Sequence, residues 1–151
     1  MALIRKARPP LRPPAVIDPT FQARGTFVVS LAPQSAEGTA EESALGRLSI
    51  AKTFSGDIAG TSTGEMLTAM TPIKGSAVYV AIERVRGSID GRHGTFVLHH
   101  EGISERGEQR LSISVVPDSG SGALTGLSGT MTLVIANGVH SYELTYELPA
   151  A

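Results

Sequence analysis

The run Met131-Thr-Leu-Val-Ile-Ala-Asn-Gly-Val-His-Ser-Tyr-Glu-Leu-Thr-Tyr-Glu-Leu148 decides how the chain folds. Asn137-Gly138 stands at its middle, and both residues tolerate the positive φ that a two-residue hairpin turn demands. Such a turn sets Ile135 opposite His140, Leu133 opposite Tyr142 and Met131 opposite Leu144. Directly opposed residues share a face. That face, continued by Tyr146 and Leu148, is apolar or aromatic, whereas Thr132, Ser141, Glu143, Thr145 and Glu147 make the other face wet. Alternation of this kind marks a half-buried antiparallel pair.

The same pattern extends toward the N-terminus. A turn at Asp90-Gly91 pairs Val85 with Phe96, Glu83 with Leu98 and Ala81 with His100. Gly56-Asp57, read as a two-residue turn, pairs Phe54 with Ala59, Lys52 with Thr61, Ile50 with Thr63 and Leu48 with Glu65. Longer turns at 71–75 and near 105–108 set Glu65 opposite Ala81 and His100 opposite Leu111. Strands are expected near 21–31, 47–55, 58–70, 76–87, 94–104, 109–116, 129–136 and 139–148. No segment of helical length keeps a 3.6-residue period. The glycine-rich stretch 118–129 reads as a loop with one helical turn around Ala123 to Leu127.

Consecutive hairpins with one apolar face must bury that face, and no helix is available to cover it. The sheet therefore closes on itself or stacks on a second sheet. The sequential meander favours a closed antiparallel barrel of about eight strands over a sandwich, and closure also removes exposed strand edges.

Composition narrows the function. A chain of 151 residues suits one domain, and 41% hydrophobic with 18% charged residues is globular. A net charge of −1 argues against nucleic acid and acidic membranes as partners. With no cysteine, disulfides, thiolate catalysis and sulfur-ligated metals are excluded. No apolar run is long enough to span a membrane. The first 20 residues hold Arg5, Lys6, Arg8 and Arg12 without an apolar stretch of signal length, so a cytoplasmic, non-exported protein is expected. Five of the nine prolines fall within residues 1–19, which read as an extended arm, either a loose tail or a clasp on a second subunit. Residues 20–151 form the barrel domain.

Five ionisable residues fall on the deduced inner face: Lys52, Glu65, Glu83, His100 and His140. Buried ionisable groups are costly unless paired or solvated. Glu65, Ala81 and His100 share a cross-strand row, with Glu83 diagonal to both Glu65 and His100, within reach of long side chains. A carboxylate beside an imidazole suits general acid–base work, which makes Glu65, Glu83 and His100 the candidate catalytic set. An internal ion-pair network, or residues in water at the barrel rim, accounts for the same pattern. Around them Lys52, Phe54, Tyr79, Phe96, Leu98, His140 and Tyr142 are the candidate ligand-binding residues.

Other signals carry less. His99 and His100 are adjacent on a strand, face opposite sides and cannot chelate one ion together. Two carboxylates with one imidazole could hold a metal, but neither a metal nor another cofactor is expected. Gly120-Ser-Gly122 lacks the lysine and the strand-to-helix context of a phosphate loop. Ser119 and Ser121 have no nucleophile-elbow setting. Val78, Val80 and Ile82 face outward, and an apolar outer stripe suggests a subunit interface and a homo-oligomer.

Several runs resemble one bacterial family of unknown function, domain of unknown function 3224. They are Lys52-Thr-Phe-Ser-Gly-Asp-Ile-Ala-Gly60, Gly64-Glu-Met-Leu67, Tyr79-Val-Ala-Ile-Glu-Arg84 and Gly94-Thr-Phe-Val-Leu-His-His-Glu-Gly102. Val115-Val-Pro-Asp-Ser-Gly-Ser-Gly-Ala-Leu-Thr-Gly-Leu-Ser-Gly129 and His140-Ser-Tyr-Glu-Leu-Thr-Tyr-Glu-Leu148 continue the likeness, which spans residues 21–148. The resemblance implies a barrel similar to that of allene oxide cyclase, with a largely apolar cavity, and supplies no activity. Family members often carry Gln-His where this chain has His99-His100, and Gly-Thr-Gly where it has Gly120-Ser-Gly122. Lys52, Glu65, Glu83 and His100 match positions the family pattern favours.

Three functions stay open on this reading. The first is a binding module holding a small hydrophobic or amphipathic molecule in the barrel. The second is an isomerase or cyclase using a Glu/His pocket. The third is a structural or assembly protein using the outer stripe and the proline arm.

Overall fold

The computed structural model describes residues 19–39 and 41–150. Eight strands follow in chain order: β1 (Thr20–Glu37), β2 (Ala44–Gly56), β3 (Ile58–Met70), β4 (Ala77–Ile89), β5 (Arg92–Glu105), β6 (Glu108–Val115), β7 (Ser128–Ala136) and β8 (Val139–Glu147). Each pairs antiparallel with its neighbour in sequence, and β8 pairs back onto β1, which closes the barrel. A 3-10 turn at Gly122–Leu124 falls in the β6–β7 loop, where one helical turn was expected. The proline-rich arm lies, but for Pro19, outside the described residues.

Turn chemistry sets the register where the turns are two residues long. Asn137 and Gly138 take φ of 52° and 75°, and Asp90 and Gly91 take 49° and 80°. The expected pairs follow: Ile135 with His140, Leu133 with Tyr142, Val85 with Phe96, Glu83 with Leu98 and Ala81 with His100. His100 meets Ile113 rather than Leu111, a two-residue offset that leaves both faces as expected.

Strand β3 departs from expectation. Phe54 pairs with Gly60, Lys52 with Ser62 and Ser49 with Glu65, so the corner is Ser55 to Ala59 and not a two-residue turn. That corner holds an odd number of residues, which inverts the faces of β3. Glu65 and Leu67, expected inside, stand on the outer wall, and Leu67 is 55% exposed. Ser62, Gly64 and Met66 face inward in their place. The corner has its own reasons for this shape. The Asp57 carboxylate accepts the Arg24 backbone N–H at 2.8 Å, and the Asp57 carbonyl accepts that of Asp90 at 2.9 Å. Ile58 turns inward and is fully buried, with its N–H donated to the Tyr142 hydroxyl at 2.8 Å. Burying an isoleucine is favourable by about 2–3 kcal/mol, and a two-residue turn would leave it outside. The β3–β4 pairing shifts by the same single step, with Glu65 opposite Ile82, so every later strand keeps its expected face.

The barrel interior is divided along its length. At the end formed by the Ser55–Ala59 corner, the β4–β5 turn and the β6–β7 loop, Ile58, Ile89, Phe96, Leu98, Leu124, Leu127 and Leu144 fill the lumen. The β6–β7 loop covers this end and is strapped to β5. Thr95 and Val97 donate their backbone N–H groups to Ser121 Oγ and Ser119 Oγ, each at 3.0 Å. The Val97 and Thr95 carbonyls in turn accept from Val116 N–H at 2.8 Å and Ser121 N–H at 2.9 Å. The opposite end is not filled. There Met70, Leu111 and Ile135 line the rim, and Ile135 is 65% exposed.

Candidate functional site

Midway along the lumen, four neighbouring strands bring four polar side chains together. Lys52 comes from β2, Ser62 from β3, Glu83 from β4 and His100 from β5, so the four span four adjacent strands in register. Glu83 is fully buried and central: Lys52 Nζ lies 2.7 Å from its Oε1, His100 Nε2 lies 2.6 Å from the same oxygen, and the Ser62 hydroxyl donates to Oε2 at 2.6 Å. Gly64, opposite Glu83 on β3, makes room for this packing, because a Cβ there would come within 2.7 Å of the Glu83 Cβ.

Electrostatics follow from the contacts. Burial pushes the Glu83 carboxyl up. The His100 hydrogen bond, the Lys52 charge, and the hydrogen bonds from Lys52 and Ser62 outweigh it and hold the group down at about 2, against an ordinary 4.5. An ionised carboxylate only accepts, so His100 Nε2 carries the hydrogen it shares with Glu83. The Lys52 ammonium also lies 4.6 Å from the centre of the Phe27 ring, a second source of compensation for its burial.

Above this quartet the open half of the barrel is a cavity of about 430 Å³. Its walls are chiefly apolar, from Met66, Met70, Tyr79, Leu111, Leu133 and Ile135. Tyr79 lies between cavity and quartet: its ring centre is 6.5 Å from that of His100, and it packs flat against Gly102, where any Cβ would sit 2.1 Å from a ring carbon. Burial, and then the charge of Glu83, raise the Tyr79 hydroxyl above its ordinary pKa. Every buried side-chain nitrogen and oxygen among the described residues has a hydrogen-bond partner. The Tyr79 hydroxyl and His100 Nδ1 have none among those residues, so neither atom is fully sealed, and of the two residues Tyr79 lines the cavity.

The residues expected from sequence thus separate into groups. Lys52, Glu83 and His100 come together, and Tyr79 lines the cavity above them. Glu65 does not join them: on the outer wall it pairs with Arg47. A metal set of Glu65, Glu83 and His100 is therefore not assembled. Phe54, Phe96, Leu98 and Tyr142 are buried and do not line the cavity, and His140 packs on Phe27 with ring centres 5.1 Å apart. Ser62 was missed. Thr61-Ser-Thr-Gly64 is polar on both faces, so alternation there carries no signal, and only the true register would have exposed it.

A family model for proteins of unknown function, DUF3224, matches residues 23–146. The chain belongs to the DUF3224 family. A solved structure of a DUF3224 protein of unknown function from Shewanella oneidensis MR-1 is similar to it, with 47% sequence identity and a TM-score of 0.82. The match covers 87% of this chain and all of that one. Among curated proteins no match is found. No helix of the described residues is long and apolar enough to cross a membrane.

Proposed function

We propose that this DUF3224 protein holds a small, largely apolar molecule bearing one polar group in the open half of its barrel. The observation that carries this reading is the cavity of about 430 Å³, a size suited to small ligands. Its walls are chiefly apolar, and the hydroxyl of Tyr79 in its lining is left without a partner among the described residues. The apolar part of the ligand takes the walls by Met66, Leu111 and Leu133. The polar group reaches the floor, where an acceptor or donor satisfies Tyr79 and His100. Glu83 does not touch the ligand. It fixes the ring of His100 through Nε2 and leaves Nδ1 without a partner among the described residues.

One observation favours a second reading, isomerase or cyclase chemistry. An imidazole held by a buried carboxylate, its other nitrogen unpartnered and its ring centre 6.5 Å from that of cavity-lining Tyr79, supports proton exchange with a bound molecule. Glu83 at about 2 is too weak a base for that task, so His100 carries it.

Native mass spectrometry of freshly purified protein tests both. Binding predicts an adduct that denaturation releases and that Thr68→Trp, which fills the cavity, abolishes. A ligand recovered from His100→Gln that differs in connectivity from the wild-type ligand supports the enzyme, and an identical ligand supports the carrier. No adduct, together with no uptake of an apolar fluorescent probe, overturns the proposal.

A further inference from the structure

Among the described residues, the barrel leaves short unpaired strand stretches only where β6 and β7 splay apart, along the first half of β5 and at the end of β1, so the strands β2 to β4 offer a second chain their outer face. On β7, β8 and β1 the outer wall carries Thr130, Thr132, Ser141, Glu143 and Thr145 with a smaller apolar group, Val28, Val134 and Val139. The wall of β2 to β5 carries the larger one: Leu45, Leu67, Val78, Val80 and Ile82 are exposed side by side, and Ile82 is 58% accessible. We propose that this face is the interface of a homodimer, two-fold about an axis that runs parallel to the strands between β3 and β4.

The charge pattern selects a second copy as the occupant. Pairing aligns Arg47, Leu67, Val80 and Glu101 in one row across β2 to β5, and Leu45, Ala69, Val78 and Ile103 in the next. The two-fold axis lays the face on itself and reverses each row. Arg47 then meets the partner's Glu101, Leu67 meets the partner's Val80, and Leu45 meets the partner's Ile103. These two rows, the first basic at one end, acidic at the other and apolar between, are self-complementary under this one operation, and the Ser49-Glu65-Ile82-His99 row beside them forms the edge of the contact. Arg47 keeps its ion pair with Glu65 of its own chain and stays half exposed, so it is free to bridge both carboxylates. Four strands about 4.8 Å apart and four outward rows about 6.8 Å apart cover about 500 Å² of the curved wall. That falls short of the roughly 800 Å² per partner of a standard interface, so a weak, concentration-dependent dimer is expected.

Sedimentation equilibrium across the micromolar range tests the proposal. The wild type is expected to form dimers, and Val80→Glu to be monomeric with an unchanged thermal melt. Arg47→Glu and Glu101→Arg, each alone, set like charges across both ends of the interface and weaken the dimer. Mixed in equal amounts, the two variants regain association, because each mismatch in one chain answers the mismatch in the other. A wild type monomeric throughout overturns the proposal. So does a dimer that survives Val80→Glu, or single charge variants whose mixing restores nothing.

Discussion

Glu83 is the side chain on which the lumen depends. Its partners hold the folded carboxyl at about 2, whereas the unfolded chain protonates it near 4.5. A depressed carboxyl binds its proton less tightly in the folded state, so its contribution to stability is complete above pH 4.5 and drains away as pH falls toward 2. The size of that contribution is about 3 kcal/mol. Glu83→Gln leaves Lys52 buried without its counter-charge, and at neutral pH it should lower the unfolding free energy by about 3–5 kcal/mol. Urea unfolding of both proteins from pH 7 down to acid should show the gap narrowing below pH 4.5, and a gap that stays constant through the acid range would refute the paired carboxylate. The link from Glu83 to His100 was legible in the sequence because the Asp90-Gly91 turn announces the register of their two strands, and Lys52 was expected on the same inner face without being paired to Glu83. Its link to Ser62 was not. Serine among threonines and glycine gives no hint of which way it points, and the face of β3 hangs on a corner whose length the sequence leaves ambiguous.

That corner shows where element-level reading works and where it fails. Asn137-Gly138 and Asp90-Gly91 supply adjacent residues with positive φ, and two-residue turns follow as the steric rules require. Gly56-Asp57 looks equivalent, but Asp57 spends its carboxylate on Arg24 of β1 and Ile58 is needed inside. Tertiary demands overrule the local turn, and Glu65 changes sides as a result. The β6–β7 loop gives the converse case. Its serines carry no catalytic setting in the sequence, and in the structure they stand in for a missing strand partner along the first half of β5. Replacing Ser119 and Ser121 together with alanine removes two acceptors, at about 1 kcal/mol each. Amide hydrogen exchange at Thr95 and Val97 should accelerate while that at Leu98, paired with Val115, stays slow. Unchanged protection at both positions would show that the straps hold nothing.

Across the whole molecule, one uneven barrel yields two surfaces with different uses. Large side chains and a capping loop fill one half, and the other half, built with Met66, Thr68, Ala77 and Gly102, stays hollow above a neutralised polar floor. Closure and strand order were readable from the sequence, because turns and alternation are local signals. The hollow half was not, because whether a lumen is filled depends on which side chains meet across the barrel. Phe54, Phe96, Leu98 and Tyr142 accordingly proved to be packing rather than lining. The most direct test of the hollow half is a fluorescence titration of an apolar, environment-sensitive dye into the wild type and Thr68→Trp, with matched thermal melts. A hollow half predicts saturable binding of one dye per chain by the wild type and affinity at least about tenfold weaker in the variant. Equal binding by the two proteins, or none by the wild type, would contradict it.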